Sequence, residues 1–294
     1  MQPANPTNVP EPEQVIAAAR AAIMERAGMA AAERRARERR WQPLFFVVLA
    51  ILLLGVLFAP AATLERKLIL ALSGVCAQEH NLIVGGVQLP LCARDSGMYL
   101  SLLATLAVVI MRGRGRAGAL PPWPILTVLA GLVAIMGVDG VNSLLNEIGL
   151  VPWYTPRNDL RALTGMGAGV GLAVVLVLLL NRSLRRDVDD SLPVLGQWRE
   201  LGLIALIDGA LLASALLDVA PLAWPLALLV FAGVTGTLFV TALVAIAVIL
   251  RYDGTITHPA QLARPATLAL AFMGVFLVVM ALLRAVLVNG GPAS

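Results

Sequence analysis

"RRARERRWQPLFFVVLAILLLGVLFAPAAT", residues 34–63, sets five arginines directly before an uncharged apolar run. The run, 43–63, has the roughly 20 apolar residues that a helix needs to cross the hydrocarbon of a bilayer. Arg34, Arg35, Arg37, Arg39 and Arg40 mark the side that stays in the cytoplasm. A secretory leader is the wrong reading, because a long charged region precedes the run and the run itself is span-length.

The rest of the chain follows from that segment. Of 294 residues, 59% are hydrophobic and only 14% charged, whereas soluble domains average about 45–50% apolar and about 25% charged. So few charges cannot cover a soluble surface, so lipid must solvate much of the chain. The net charge of +4 then reflects membrane orientation rather than nucleic-acid binding, and no nucleic-acid partner is expected. Two cysteines exclude a disulfide-rich scaffold.

Seven apolar runs imply an all-α, polytopic membrane helix bundle of about seven transmembrane helices: 43–63, 97–111, 123–144, 161–181, 200–220, 224–250 and 265–288. "LILALSGVC", 68–76, is too short to cross and is expected as a re-entrant or interfacial helix. With the N-terminus inside, segments 1–42, 112–122, 182–199 and 251–264 carry 16 basic residues, against 5 in the opposite loops. The positive-inside rule therefore puts the N-terminus in the cytoplasm and the C-terminus outside. Three parts are expected. Residues 1–42 form a cytoplasmic tail, disordered in its Pro-rich beginning and then a basic amphipathic helix at anionic headgroups. Residues 43–181 form a four-span domain, and 182–294 add three more helices.

The reactive side chains gather toward the outer face. "CAQEHNLIVGGVQLPLCARDSGMY", 76–99, holds both cysteines. Asp139, Asn142, Ser143 and Asn146 recur at helical spacing near the outer end of the third span, and Asp159 and Arg161 open the fourth. "GMGAGVGL", 165–172, offers the small-x3-small pairs Gly165/Gly169 and Gly167/Gly171 for close helix packing. It is no nucleotide loop, since no strand precedes it and no Lys follows.

"GGVQLPLCARDSGMYL", "VDGVNSLL" and "RNDLRALTGMGAGVGL" together resemble the domain of unknown function 2085 family, a group of predicted prokaryotic multi-pass membrane proteins. The resemblance covers about 70–180 and rests on Cys92, Ala93, Arg94, Gly97, Tyr99, Asp139, Gly140, Arg161 and Gly165. It implies a plasma-membrane protein and brings no established activity. Many family members carry a second Cys following the arginine, where this chain has Asp95, and many an adjacent Cys-His pair, where "AQE" separates Cys76 from His80.

Several chemistries suit the outer cluster. Cys76 and His80, at i and i+4, can converge with Cys92 on Zn or Cu, with Asp95 or Glu79 as a fourth ligand. Cys76 and Cys92 can instead form a disulfide in an oxidising compartment. Arg94 can pair with Asp95 or bind an anion through its planar fork. Tyr99 is expected as an interface anchor, and Asp139 as the partner of Arg161. Asp208 is an intramembrane acid, a functional-site candidate by its cost alone. The reading favoured is a binding or accessory membrane protein that assembles with other membrane subunits. The alternatives are a transporter or channel for a small ion or anionic solute, and a membrane-embedded enzyme. The last lacks HExxH, GxSxG or any comparable catalytic set.

Overall fold

The computed structural model describes residues 12–76, 78–252, 254, 256 and 258–289. Residues 1–11, where the tail is expected to be disordered, lie outside them. The first helix, α1 (Pro12–Leu57), runs through the arginine-rich segment into the first apolar run without a break. A short helix, α2 (Leu64–Ala71), follows, its N-terminus capped by Thr63. The expected interfacial piece is thus a helix one turn earlier than its apolar residues suggested, because Thr63 rather than the apolar onset decides where it starts.

Six helices then carry the apolar runs: α3 (Ala93–Met111), α4 (Trp123–Glu147), α5 (Asn158–Leu184), α6 (Trp198–Leu216), α7 (Ala223–Ile249) and α8 (Ala263–Asn289). Among the described residues, six helices are long and apolar enough to cross a membrane, and α6 is not one of them. Arg199, Glu200 and Asp208 make α6 more polar, yet its 19 residues cover about 28 Å at 1.5 Å each, roughly the hydrocarbon thickness. The expected fold is therefore found, an all-α polytopic bundle, with seven as an approximate count.

Contacts between loops sort them into two ends. At one end, β3 (Ala117–Ala119) pairs in parallel with β4 (Asp189–Pro193), and Arg185 bridges Ile256. Buried Glu38 of α1 accepts from the Tyr252 hydroxyl at 2.5 Å and from the Arg264 amide, at the start of α8, at 2.8 Å. Arg114 reaches Glu200 at 2.8 Å, and Glu200 also accepts from the Gly196 and Gln197 amides that open α6. The segments joined here are the four that carry the basic excess, so this is the basic end.

At the other end, β1 (Asn81–Val84) and β2 (Val87–Cys92) form an antiparallel hairpin. Its turn is Gly85-Gly86, both at positive φ, the backbone that a tight two-residue hairpin requires. Val84, Leu89 and Leu91 are buried against Leu226, Ala227, Val230 and Val234 of α7. The Gly85 amide donates to Asp218, in the α6–α7 link, at 2.5 Å. The α6 helix therefore joins the two ends: Gly196 and Glu200 sit at the basic end, and Asp218 at the cysteine end. Periodicity alone did not reveal the hairpin, because its residues are as apolar as a helix core, and Gly85-Gly86 is the signal that locates it.

Candidate functional site

Two polar clusters occupy the cysteine end. The first is built on the segment that leads into and out of the hairpin. Gln78 holds it, donating through Nε2 to the carbonyls of Ile69 and Pro90, both at 2.9 Å. From α8, Arg284 donates to the carbonyls of Ser73 (2.7 Å) and Cys76 (3.0 Å). The Ala93 amide donates to the His80 carbonyl at 2.8 Å and fixes the start of α3. Cys92 is the N-cap residue of α3. The Cys76 and Cys92 sulfurs and an Asp95 carboxylate oxygen all lie within 4.8 Å of one another, and both thiols are free and half-buried.

His80 does not join them. It falls with Glu79 and Glu147 in a separate, more exposed group, 3.8 Å from Glu147. The i, i+4 spacing of Cys76 and His80 supposes a helix there, whereas the chain turns at Gln78, which has φ 61, and enters β1. That turn separates the two side chains.

The thiols are unequal. Hydrogen bonding from the Cys92 thiol lowers the Cys76 pKa against the opposing effect of burial. The same bond, with burial, raises that of Cys92. The thiolate is the nucleophile, so iodoacetamide at pH 8 is expected to label Cys76 several-fold faster than Cys92. Peptide mapping after a short pulse checks this, and equal labelling would contradict the asymmetry.

The second cluster lies where α3, α4 and α5 meet. Asp139 is 1% exposed and accepts from three groups. Arg94 donates to its Oδ2 through Nη2 (2.5 Å) and Nε (3.1 Å), the Tyr154 hydroxyl to its Oδ1 (2.7 Å), and Thr164 to Oδ2 (3.4 Å). Asn142 secures the loop that brings Tyr154 in: its Oδ1 accepts from the Trp153 and Tyr154 amides at 2.7 and 3.2 Å, and its Nδ2 donates to the Tyr154 carbonyl at 2.9 Å. Burial, then the bond to Asp139, pushes the Tyr154 phenol up to about 12, so it stays a donor.

Three pairings differ from those the sequence suggested. Arg94, not Arg161, is the partner of Asp139. Asp95 turns to the cysteines rather than to Arg94. Tyr99 packs inward, its Cβ 2.8 Å from where a Cβ on Gly233 of α7 would stand, instead of anchoring an interface. Linear proximity favoured Arg94–Asp95, but adjacent helical residues point in different directions.

Arg161 is only 5% exposed. Its contacts are neutral and long, Ser143 Oγ at 3.3 Å and Asn158 Oδ1 at 3.5 Å. Deeper in the bundle, Asp208 of α6 accepts from Ser101 Oγ of α3 at 2.7 Å, while its Oδ1 and Thr105 Oγ1 of α3 are buried without a partner among the described residues. Ser143, Tyr154 and Thr164 are members of the second cluster that sequence reasoning left without a role there, although Ser143 shares the helical face of Asp139.

Residues 76–175 match the family described as "Predicted membrane protein (DUF2085)", the family that the sequence motifs resemble. The matched region contains both clusters, from Cys76 to the α5 glycines. No curated protein and no solved structure matches the chain.

Proposed function

We propose that this chain is a binding protein of a prokaryotic plasma membrane that holds a soft metal ion, Zn²⁺ or Cu⁺, at its extracytoplasmic end between Cys76, Cys92 and Asp95. The convergence of two sulfurs and a carboxylate oxygen within 4.8 Å carries this reading. Two thiolates on one metal at about 2.3 Å each stand at most about 4.6 Å apart, so the ligands need little movement to close. Thiolate donors select Zn²⁺ and Cu⁺ over harder cations. The hydrogen bond from the Cys92 thiol favours an ionised Cys76 sulfur as the first ligand. His80 takes no part.

The basic end supports the sidedness. Its segments hold 16 of the 22 basic residues, so the positive-inside rule turns the cysteine end away from the cytoplasm. On this reading residues 12–42 lie against the inner headgroups.

The test uses the full chain, purified under anaerobic reducing conditions, loaded with Zn²⁺ or Cu⁺ and desalted. One metal per chain is expected for the wild type and for His80→Ala, with loss in Cys76→Ser and in Cys92→Ser. A metal-free wild type, or equal retention by both serine variants, rejects the site. A membrane-impermeant maleimide added to intact spheroplasts is expected to label Cys76; labelling only after lysis reverses the sidedness.

The same adjacency favours a second reading, a Cys76–Cys92 disulfide that pins the hairpin to α2. Protein from aerobic cells whose two thiols label only after reduction supports the disulfide over the metal.

A further inference from the structure

We propose that Arg161 is the floor of an oxyanion-binding cleft at the cysteine end, a site separate from the thiol pair. The cleft, about 570 Å³, opens between the start of α5, the end of α4 and the end of α6. Its walls include His80, Asn146, Arg157, Asn158 and Leu216.

Of the three guanidinium groups around it, Arg161 alone lacks a carboxylate partner among the described residues. Arg94 is neutralised by Asp139, and Arg157 by Asp159. His80 faces Glu147. Arg161 has no carboxylate within ion-pair distance among the described residues, and its acceptors are one hydroxyl, shared with Arg94, and one amide. A buried cation without a counter-ion is costly, so an anion entering the cleft recovers energy that the apoprotein has already given up. The guanidinium fork matches the paired oxygens of a phosphate or carboxylate. The N-terminus of the 27-residue helix α5 opens on the same cleft; its N-cap, Arg157, supplies no side-chain acceptor, and Asp159 in the first turn, itself paired with Arg157, takes the Leu160 amide. That helix end adds partial positive charge.

The ligand is therefore a small oxyanion, either a free phosphate-like solute or the headgroup of an anionic lipid. Leu216 on one wall and 65%-exposed Trp153 nearby in the α4–α5 loop set the cleft at headgroup level.

The test is the thermal unfolding midpoint of delipidated full-length protein in neutral detergent. It is titrated with inorganic phosphate, with sodium chloride at matched ionic strength, and with short-chain phosphatidylglycerol. A saturable rise of about 5 °C at high occupancy is expected. Saturation by phosphate assigns a free oxyanion; saturation by phosphatidylglycerol alone assigns a lipid. Arg161→Gln and Arg161→Met are expected to abolish the rise, while Arg116→Gln, at the basic end, keeps it. Without ligand, both Arg161 variants are expected to melt no lower than the wild type, because the uncompensated charge is gone. No saturable rise above the chloride control, a rise that persists in the Arg161 variants, or a lower ligand-free midpoint in both overturns the site.

Discussion

Asp139→Asn is expected to cost about 3–5 kcal/mol of unfolding free energy, the range for removing one partner of a buried ion pair. The carboxylate is the one acceptor on which Arg94, Tyr154 and Thr164 converge. Neutralising it leaves Arg94 and Arg161 together at the α3–α4–α5 junction with no negative charge between them. Arg94→Gln removes the same ion pair from the other side and is expected to cost less, about 1.5–3 kcal/mol, the worth of hydrogen bonds to a charged group. In that variant Asp139 keeps the Tyr154 and Thr164 hydroxyl donors. The order of the two costs, rather than either alone, tests the pairing scheme. Denaturant unfolding in detergent, followed by tryptophan fluorescence, measures both. Arg94→Gln costing as much as Asp139→Asn would show that the Tyr154 and Thr164 donors do not hold the carboxylate without Arg94. The double variant is expected to cost less than the two single costs added, since the groups share one network.

This network shows where sequence reasoning reached and where it stopped. The helical spacing of Asp139, Asn142, Ser143 and Asn146 placed all four on one face; the structure buries the first three and leaves Asn146 exposed. Spacing along one helix cannot say which side chain of another helix arrives opposite, so the partner of Asp139 went to Arg161, the nearest cation on the neighbouring element. The actual partner comes from α3, which packs so closely on α5 that Arg94 reaches across to α4. The spans themselves were legible because a bilayer imposes length and apolarity on each. The strands of the hairpin were not, although its Gly85-Gly86 turn was, because a buried apolar strand and a buried helix segment look alike over six residues. Likewise, the roles of Glu38 and Arg284 depend on tertiary contacts with backbone amides and carbonyls, to which no local pattern points.

The α5 glycines are the opposite case, where a local pattern carries a tertiary meaning, and they set the second large effect. Gly165→Ala is expected to cost about 3 kcal/mol, the upper part of the usual range for overpacking. A Cβ at residue 165 would stand 2.0 Å from the Arg94 carbonyl oxygen, and one at Gly169 would stand 2.2 Å from that of Met98. Gly97 on α3 faces back, with 2.2 Å to the Ala162 carbonyl. All three obstacles are backbone, so no rotamer change relieves them and the helices must move apart. The pair Gly167/Gly171 faces α4 instead, where the first atoms met are Leu132 and Val133 side chains at 3.1 and 3.3 Å. Gly167→Ala is therefore expected to be nearly neutral, and Gly140→Ala, with open space within 4 Å, neutral or slightly stabilising through helix propensity. The same small-x3-small spacing thus has two meanings, one a close backbone contact and one a shallow fit to flexible side chains. Because the Arg94 carbonyl is the obstacle at residue 165, displacing it also pulls the Arg94 guanidinium from Asp139. Gly165→Ala and Asp139→Asn are therefore expected to be non-additive, the double variant costing less than the two together. Unfolding free energies of the four single variants and this double settle it: equal costs for Gly165→Ala and Gly140→Ala, or strict additivity with Asp139→Asn, would separate the glycine seam from the ion pair beside it.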